Sequence, residues 1–363
     1  MGQENHPPQG DPPAPAASQS TADEPKKDVV YSVVDKSLLL PFFKPYLFKP
    51  LAAKIPDSVA ANTITLTGGL CSLGALIAMW QASDDNRIFY FISGALMFIY
   101  MTLDNLDGAH ARRTGQSSPM GEFIDHWLDT ASSGLIVAAV AWALALPTWL
   151  ILTVIGVNGI AFFGTFWEQH TTGNLQMEPM GNIEALTLSA MLLTAFAITG
   201  PWLGQHEWFG IASIATVLPV TQIVTLAFTA GGAIKRTKRP MAPWIHPTIG
   251  PIAIVLWHVY GQLDFVAATT MIVLCNPVFA GGRIVARVLS EPAPSHGIGP
   301  IALLSAAAVA SIAFDLPVGV QAGLSWAIAL YLFWRAFSDF VRTTKHRSGD
   351  LRSDEFLGWF FVR

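Results

Sequence analysis

Residues 104–129 read DNLDGAHARRTGQSSPMGEFIDHWLD, placing five acids, two histidines and two arginines between hydrophobic runs. Ionisable groups at the edge of a membrane-length apolar run are costly enough to mark a functional site. Asp104 and Asp107 are spaced i, i+3, and Asp125 and Asp129 i, i+4. If each pair is helical, its two carboxylates share one face. Two such faces converging on one pocket repel strongly, and a hard divalent cation relieves that repulsion. Oxygen-only ligands favour Mg²⁺, Mn²⁺ or Ca²⁺ over zinc, and four acids suffice for two ions. The small residues Gly108, Ala111 and Gly121 on the same segments would let two helix backbones approach closely. Arg112 adds a bidentate phosphate ligand. Carboxylates, metals and a guanidinium around one cavity describe a site for a di- or polyphosphate, with two metals clamping a transferring phosphoryl group.

The surrounding chain is unlike a soluble domain. Of its 363 residues 52% are hydrophobic and 13% charged, against about 25% charged in soluble domains. The composition implies an all-α polytopic membrane protein. Its two cysteines, Cys71 and Cys275, both lie in apolar runs, which excludes a disulfide framework or a Cys metal site. Residues 1–28, rich in Pro, Ala, Ser and Gln, are expected to be a disordered tail, without the apolar core of a secretory signal. In residues 29–58 aromatic and apolar residues alternate with Lys36, Lys44, Lys49 and Lys54. That pattern predicts an amphipathic segment lying in the headgroup plane. The transmembrane domain is expected over 59–345, with about ten transmembrane helices near 64–82, 88–107, 121–146, 149–167, 184–203, 210–234, 248–261, 264–282, 298–314 and 317–341. The seventh is short and proline-flanked, so nine is the alternative count. Residues 346–363 form the C-terminal tail. In the ten-span arrangement every one of the 21 Lys and Arg residues except Arg87 falls on one side. Positive charge stays cytoplasmic, which predicts both termini and the Asp cluster there. The run Lys235–Arg239 is read as a topology-setting loop rather than a nucleic-acid contact.

The spacing Asp104-x2-Asp107-Gly108-x2-Ala111-Arg112-x8-Gly121-x3-Asp125-x3-Asp129 resembles the signature of the CDP-alcohol phosphotransferase family at every fixed position. Arg113, Thr114, Ser117, Ser118, Pro119, Gly121, Glu122, Asp125 and His126 further resemble the choline/ethanolamine phosphotransferase branch. Trp167, Gly173, Leu175 and Glu184 are similar to a short family loop motif, and YSVVDKSLL (31–39) and NTITLTG (62–68) to the branch's N-terminal pattern. The resemblance covers about 31–345 and fades beyond residue 205.

What it implies is transfer of phosphocholine or phosphoethanolamine from CDP-choline or CDP-ethanolamine to diacylglycerol in the bilayer, releasing CMP, by a homodimeric enzyme that binds no nucleic acid. Asp104 and Asp125 would bridge two Mg²⁺ ions, for which Mn²⁺ can substitute. Asp107 would hold one ion and Asp129 the other. Asn62 would contact the nucleotide and Arg112 the pyrophosphate, with Gly108, Ala111 and Glu122 also at the substrate. Ala61 stands where the family usually has proline, and Trp127 and Thr130 where the branch commonly has Gly and Ser. Glu122 and His126 are i, i+4, so the carboxylate is expected to accept from one ring nitrogen and leave the other as general base. The membrane would be that of the endoplasmic reticulum or Golgi in a eukaryote and the inner membrane in a bacterium. Two other classes compete. One is a phosphatidyltransferase that uses CDP-diacylglycerol and a soluble alcohol; the Glu122–His126 pair and the chain's length oppose it. The other is a cation-coupled transporter; a signature that spans a loop rather than a broken midplane helix opposes that.

Overall fold

The computed structural model describes residues 32–177, 181–239, 242–292, 298–347 and 349. The expected tail 1–28 and most of 346–363 lie outside these residues. Ten long helices stand where the ten apolar segments were expected: α1 Ala61–Gln81, α2 Ile88–Thr114, α3 Pro119–Ala143, α4 Thr148–Thr172, α5 Asn182–Thr199, α6 Ile214–Thr237, α7 Ile245–Tyr260, α8 Phe265–Val288, α9 Ile298–Ala313 and α10 Val318–Arg347. Helices satisfy their own backbone hydrogen bonds, which a hydrocarbon environment demands. Among the described residues six of them, α1, α2, α4, α5, α6 and α8, are long and apolar enough to cross a membrane. The molecule is an all-α polytopic membrane protein. Helix α3 has 25 residues, but its first half carries Glu122, Asp125, His126 and Asp129.

Several helices outrun their apolar segments at the end nearest the acids. Helix α2 continues to Thr114 and α4 to Thr172, and each stops at a left-handed glycine, Gly115 at φ +70° and Gly173 at φ +76°. Hydropathy ends where polar residues begin, whereas a helix ends where its backbone is capped. Helices α1, α2, α3 and α5 pack together on one side; α8 lies against α3, α4, α7 and α10 and is buried along nearly all its length. By contrast α6 leaves Val217, Val220, Val224 and Phe228 exposed, as a lipid-facing helix does.

One feature departs from an all-helical chain. Residues Ser32–Asp35 (β1) pair in parallel with Asn174–Met177 (β2), in register from Ser32 opposite Asn174 to Asp35 opposite Met177. Buried Glu184 at the start of α5 anchors the segment that follows β1. Its Oε1 accepts from the Ser37 hydroxyl at 2.6 Å and the Leu39 amide at 2.9 Å, and its Oε2 from the Gly181 amide at 3.0 Å. Residues 40–52 then wind as one helical stretch, with Lys44–Phe48 in a wider π turn. Phe48 and Ala52 are buried, whereas Phe42, Tyr46, Lys44 and Lys49 are exposed.

Candidate active site

The α2–α3 hairpin places the acids. Gly115 ends α2, and Ser118 caps α3 by accepting from the Gly121 amide at 3.0 Å, with Pro119 at the first helical position, a residue suited to that place. The tight turn sets the last turns of α2 beside the first turns of α3. Asp104, Asp125 and Asp129 each offer one oxygen, and these atoms all lie within 4.8 Å of one another. Asp129 Oδ1 also accepts from the Tyr100 hydroxyl at 2.7 Å. Asp107 is buried; its Oδ2 accepts from the Thr65 hydroxyl at 2.6 Å and its Oδ1 from the Gly108 amide at 2.5 Å. An all-oxygen set of converging carboxylates fits a hard divalent cation, so the Asp triad is suited to hold one.

Arg112 is exposed at the rim, and its guanidinium folds back over Gly108 of its own helix. Gly108 was expected to admit a neighbouring helix. The close approaches occur elsewhere, where a Cβ on Gly69 would meet Leu128, one on Gly94 the Ala190 carbonyl, and one on Gly164 the Trp244 ring. Ala111 is half-buried in the same turn of α2 as Arg112, and Gly121 opens α3 against Asn62, whose Oδ1 would lie 3.6 Å from a Cβ added there.

Asn62 is buried at the start of α1, and the loop before it is held by side chains from the far end of α2. His110 Nε2 bonds the Val59 carbonyl at 2.8 Å, and Arg113 donates to Asp57 Oδ1 at 2.5 Å and to the Ile55 carbonyl at 2.6 Å. Gln116 donates to the Val59 carbonyl at 3.1 Å and accepts from the Ala61 amide at 2.6 Å. The Ala61 amide is a donor that proline lacks, so alanine at this position carries a hydrogen bond of its own.

His126 is buried on α3, with Nε2 4.0 Å from Asp125 Oδ2 and its ring 5.4 Å from that of Phe166 on α4. The expected hydrogen bond from the imidazole to Glu122 is not formed: Nδ1 stands 3.9 Å from Oε1, outside hydrogen-bond range. That oxygen is taken instead by the Arg287 guanidinium from α8 and by Gln169 Nε2 from α4 at 3.3 Å. Arg287 was outside every sequence motif. Its place near the end of a span reads in the sequence as an ordinary topology-setting charge.

The family model described as CDP-alcohol phosphatidyltransferase matches residues 58–228. The chain carries a CDP-alcohol phosphatidyltransferase domain. It is 34% identical over 182 residues to cholinephosphotransferase 1 of Gallus gallus, covering 47% of this chain and 54% of that one. It is 30% identical to choline/ethanolaminephosphotransferase 1 of Arabidopsis thaliana, covering 54% and 52%, and 28% identical to the Saccharomyces cerevisiae protein of that name, covering 50% and 48%. The chain thus spans about half the length of the curated relatives it matches.

The CDP-alcohol phosphatidyltransferase domain holds the whole Asp cluster, Asn62, Arg112, Glu122 and His126, but α8 lies beyond the matched residues. One further ion pair and one cation–π contact border the domain on this side. Buried Glu168 on α4 is held by Arg236, whose Nε lies 2.5 Å from Oε1 and Nη2 2.9 Å from Oε2. Arg236 is itself exposed, but its guanidinium reaches inward to that buried carboxylate, so it does more than set topology. On α8, Arg283 is 5% exposed, with its guanidinium 5.1 Å above the Phe163 ring. Trp127, next to His126, turns away from α4 and packs on Gly281 of α8 and on Phe340 of α10 at 5.0 Å.

Proposed function

We propose that the protein transfers phosphocholine or phosphoethanolamine from the corresponding CDP-alcohol to the free hydroxyl of diacylglycerol. The observation that carries this reading is His126 lodged on the same helix as two members of the Asp triad, with its Nε2 4.0 Å from Asp125, in a chain similar to proteins named cholinephosphotransferase and choline/ethanolaminephosphotransferase. Asp104, Asp107, Asp125 and Asp129 are the residues that would hold two Mg²⁺ ions. When bound, those ions supply charge neutralisation at the phosphates. Arg112 binds the diphosphate, and Asn62, fixed by the His110–Arg113–Gln116 clamp on its loop, faces the nucleotide.

The chemistry assigned to the chain's own residues is acid–base and positional. The acceptor hydroxyl oxygen forms a bond to the phosphorus that carries the aminoalcohol, and the bond from that phosphorus to the oxygen it shares with CMP breaks. The hydroxyl proton passes to His126, and CMP leaves with the bonding pair. General-base catalysis of this kind contributes on the order of 10² to 10⁴ in rate. Arg287 and Gln169 hold the Glu122 carboxylate in place one turn from His126. Diacylglycerol reaches the site laterally between helices, from the bilayer, and both termini and the site face the cytoplasm of an endoplasmic-reticulum, Golgi or bacterial inner membrane. A homodimer is the expected assembly.

The test is CMP release by purified protein with Mg²⁺ and diacylglycerol, comparing CDP-choline, CDP-ethanolamine and, separately, CDP-diacylglycerol with inositol or glycerol phosphate. Turnover with either water-soluble donor is expected, with complete loss on chelation, return on adding Mg²⁺, and loss in Asp125→Ala. Turnover confined to CDP-diacylglycerol would overturn donor, acceptor and base together.

A further inference from the structure

The arginines on this side of the domain are not equivalent. Arg287 is matched by Glu122 and Arg236 by Glu168. Arg283 has neither an acidic partner nor a hydrogen bond among the described residues, and its one contact of this kind is the face of Phe163. It is nevertheless 5% exposed. A desolvated guanidinium resting on an aromatic ring still has its donors, which lie in the guanidinium plane. A charge kept in a membrane helix without a partner marks a ligand site. A second observation points the same way. Asn276, two turns deeper on the same face of α8, is 4% exposed and its Nδ2 also finds no acceptor. It sits where a Cβ on Gly159 of α4 would collide with it, and 3.6 Å from one on Gly134 of α3. Two buried donors lacking acceptors call for a ligand that brings acceptor oxygens.

The level of this pair is set by the antiparallel contact of α3 with α8, in which Glu122 meets Arg287, Trp127 meets Gly281 and Gly134 meets Val273. Arg283 therefore stands at the depth of His126. The two are joined through α4, where Phe166 packs on the imidazole and Phe163, one turn away, lies under the guanidinium. An unmatched positive charge repels both a metal ion and the cationic headgroup of an aminoalcohol donor, and the donor's diphosphate is already assigned to Arg112 and the Asp cluster, so this side of His126 is left to the acceptor. Diacylglycerol is neutral, and the oxygens it carries beside its free hydroxyl are ester carbonyls.

We infer that Arg283, with Asn276 behind it, is the acceptor-recognition site, donating to the ester carbonyls of diacylglycerol so that the free hydroxyl rests at His126. This rests on the reaction proposed above. The lipid then lies with its hydroxyl at His126, its carbonyls between Arg283 and Asn276, and its chains running on toward the bilayer centre.

The experiment compares 1,2-diacylglycerol with its 1,2-dialkyl ether, which keeps the hydroxyl and chains but has no carbonyls. CMP release by the full-length protein is measured with Mg²⁺ and the preferred CDP-alcohol. The unaltered enzyme is expected to favour the diester by on the order of 10- to 100-fold in kcat/KM, the range for hydrogen bonds to a charged group. Arg283→Met, which keeps an apolar stem on Phe163, is expected to use the two lipids alike, and Arg283→Lys to recover part of the preference. Equal use of both lipids by the unaltered enzyme, which needs no variant to fold, would overturn the inference. So would an Arg283→Met enzyme that loses activity on both while keeping the original ratio. Absence of CMP release with either lipid from any CDP-alcohol would instead overturn the reaction on which the inference rests.

Discussion

Glu122 illustrates how one residue acquires its role from partners far away in the chain. Its carboxylate and the Arg287 guanidinium have side chains 8% and 7% exposed, so each charge depends on the other. Removing one partner of a buried pair costs about 3–5 kcal/mol, whereas replacing both with apolar groups of similar volume is often neutral. Arg287→Met is therefore expected to lower the thermal midpoint markedly, and pairing it with Glu122→Met to recover most of the loss; a full double-mutant cycle followed by intrinsic fluorescence measures the coupling. His126 depends less on its surroundings for stability and more for chemistry. His126→Ala is expected to lower kcat on the order of 10² to 10⁴ while calorimetry still detects CDP-alcohol binding. Equal loss of binding would assign the imidazole a structural role. At this scale the motif residues could be named in advance, but neither the 3.9 Å gap between His126 and Glu122 nor the arginine that explains it is written in local spacing.

Among the elements, the α4–α8 contact has the narrowest tolerance. A Cβ on Gly159 would stand 1.8 Å from Asn276 Oδ1, whereas one on Gly134 would make ordinary contacts at 3.4 Å to Val273. Overpacking a close contact costs about 1–3 kcal/mol. Gly159→Ala is expected to destabilise the protein by that order and to push α8, with Arg283 and Arg287, out of place. Gly134→Ala should leave the thermal midpoint within a degree or two of the original, and thermal unfolding with parallel CMP-release assays separates the two. The α2–α3 hairpin is the opposite case, because its geometry is local: Gly115 in the left-handed region, the Ser118 cap and Pro119 follow one another in the chain. An element made by neighbours in sequence can be read from sequence. The pairing of β1 with β2 cannot, since a four-residue strand with no hydropathy signal of its own is defined only by its partner about 140 residues on.

For the whole molecule, topology is the property on which the proposal stands or falls. If the Asp cluster faces the cytoplasm, so does the end of α6, and the turn before α6 faces the other way. Lys238→Cys and Glu207→Cys, each tested with a membrane-impermeant maleimide on sealed vesicles, are expected to label from opposite sides, Lys238→Cys from the side that admits CDP-alcohol. Labelling of both from one side would remove the even spacing of spans on which the cytoplasmic site depends. The number and placement of the long helices follow from apolar run length, because a bilayer imposes a span length and helices satisfy their own backbone; the ten segments expected from the sequence became ten long helices among the described residues. The acids on α2 and α3 were equally legible, since i, i+3 and i, i+4 spacing along one helix fixes a shared face. What only the tertiary structure decided is which charges turn inward. Arg236, Arg283 and Arg287 look in sequence like any cations at the ends of spans, and an arginine long enough to reach water is also long enough to reach a carboxylate or a ring across a helix interface. The choice between these depends on which helices become neighbours, and α8 became the neighbour of α3 and α4 through contacts between residues well over a hundred positions apart.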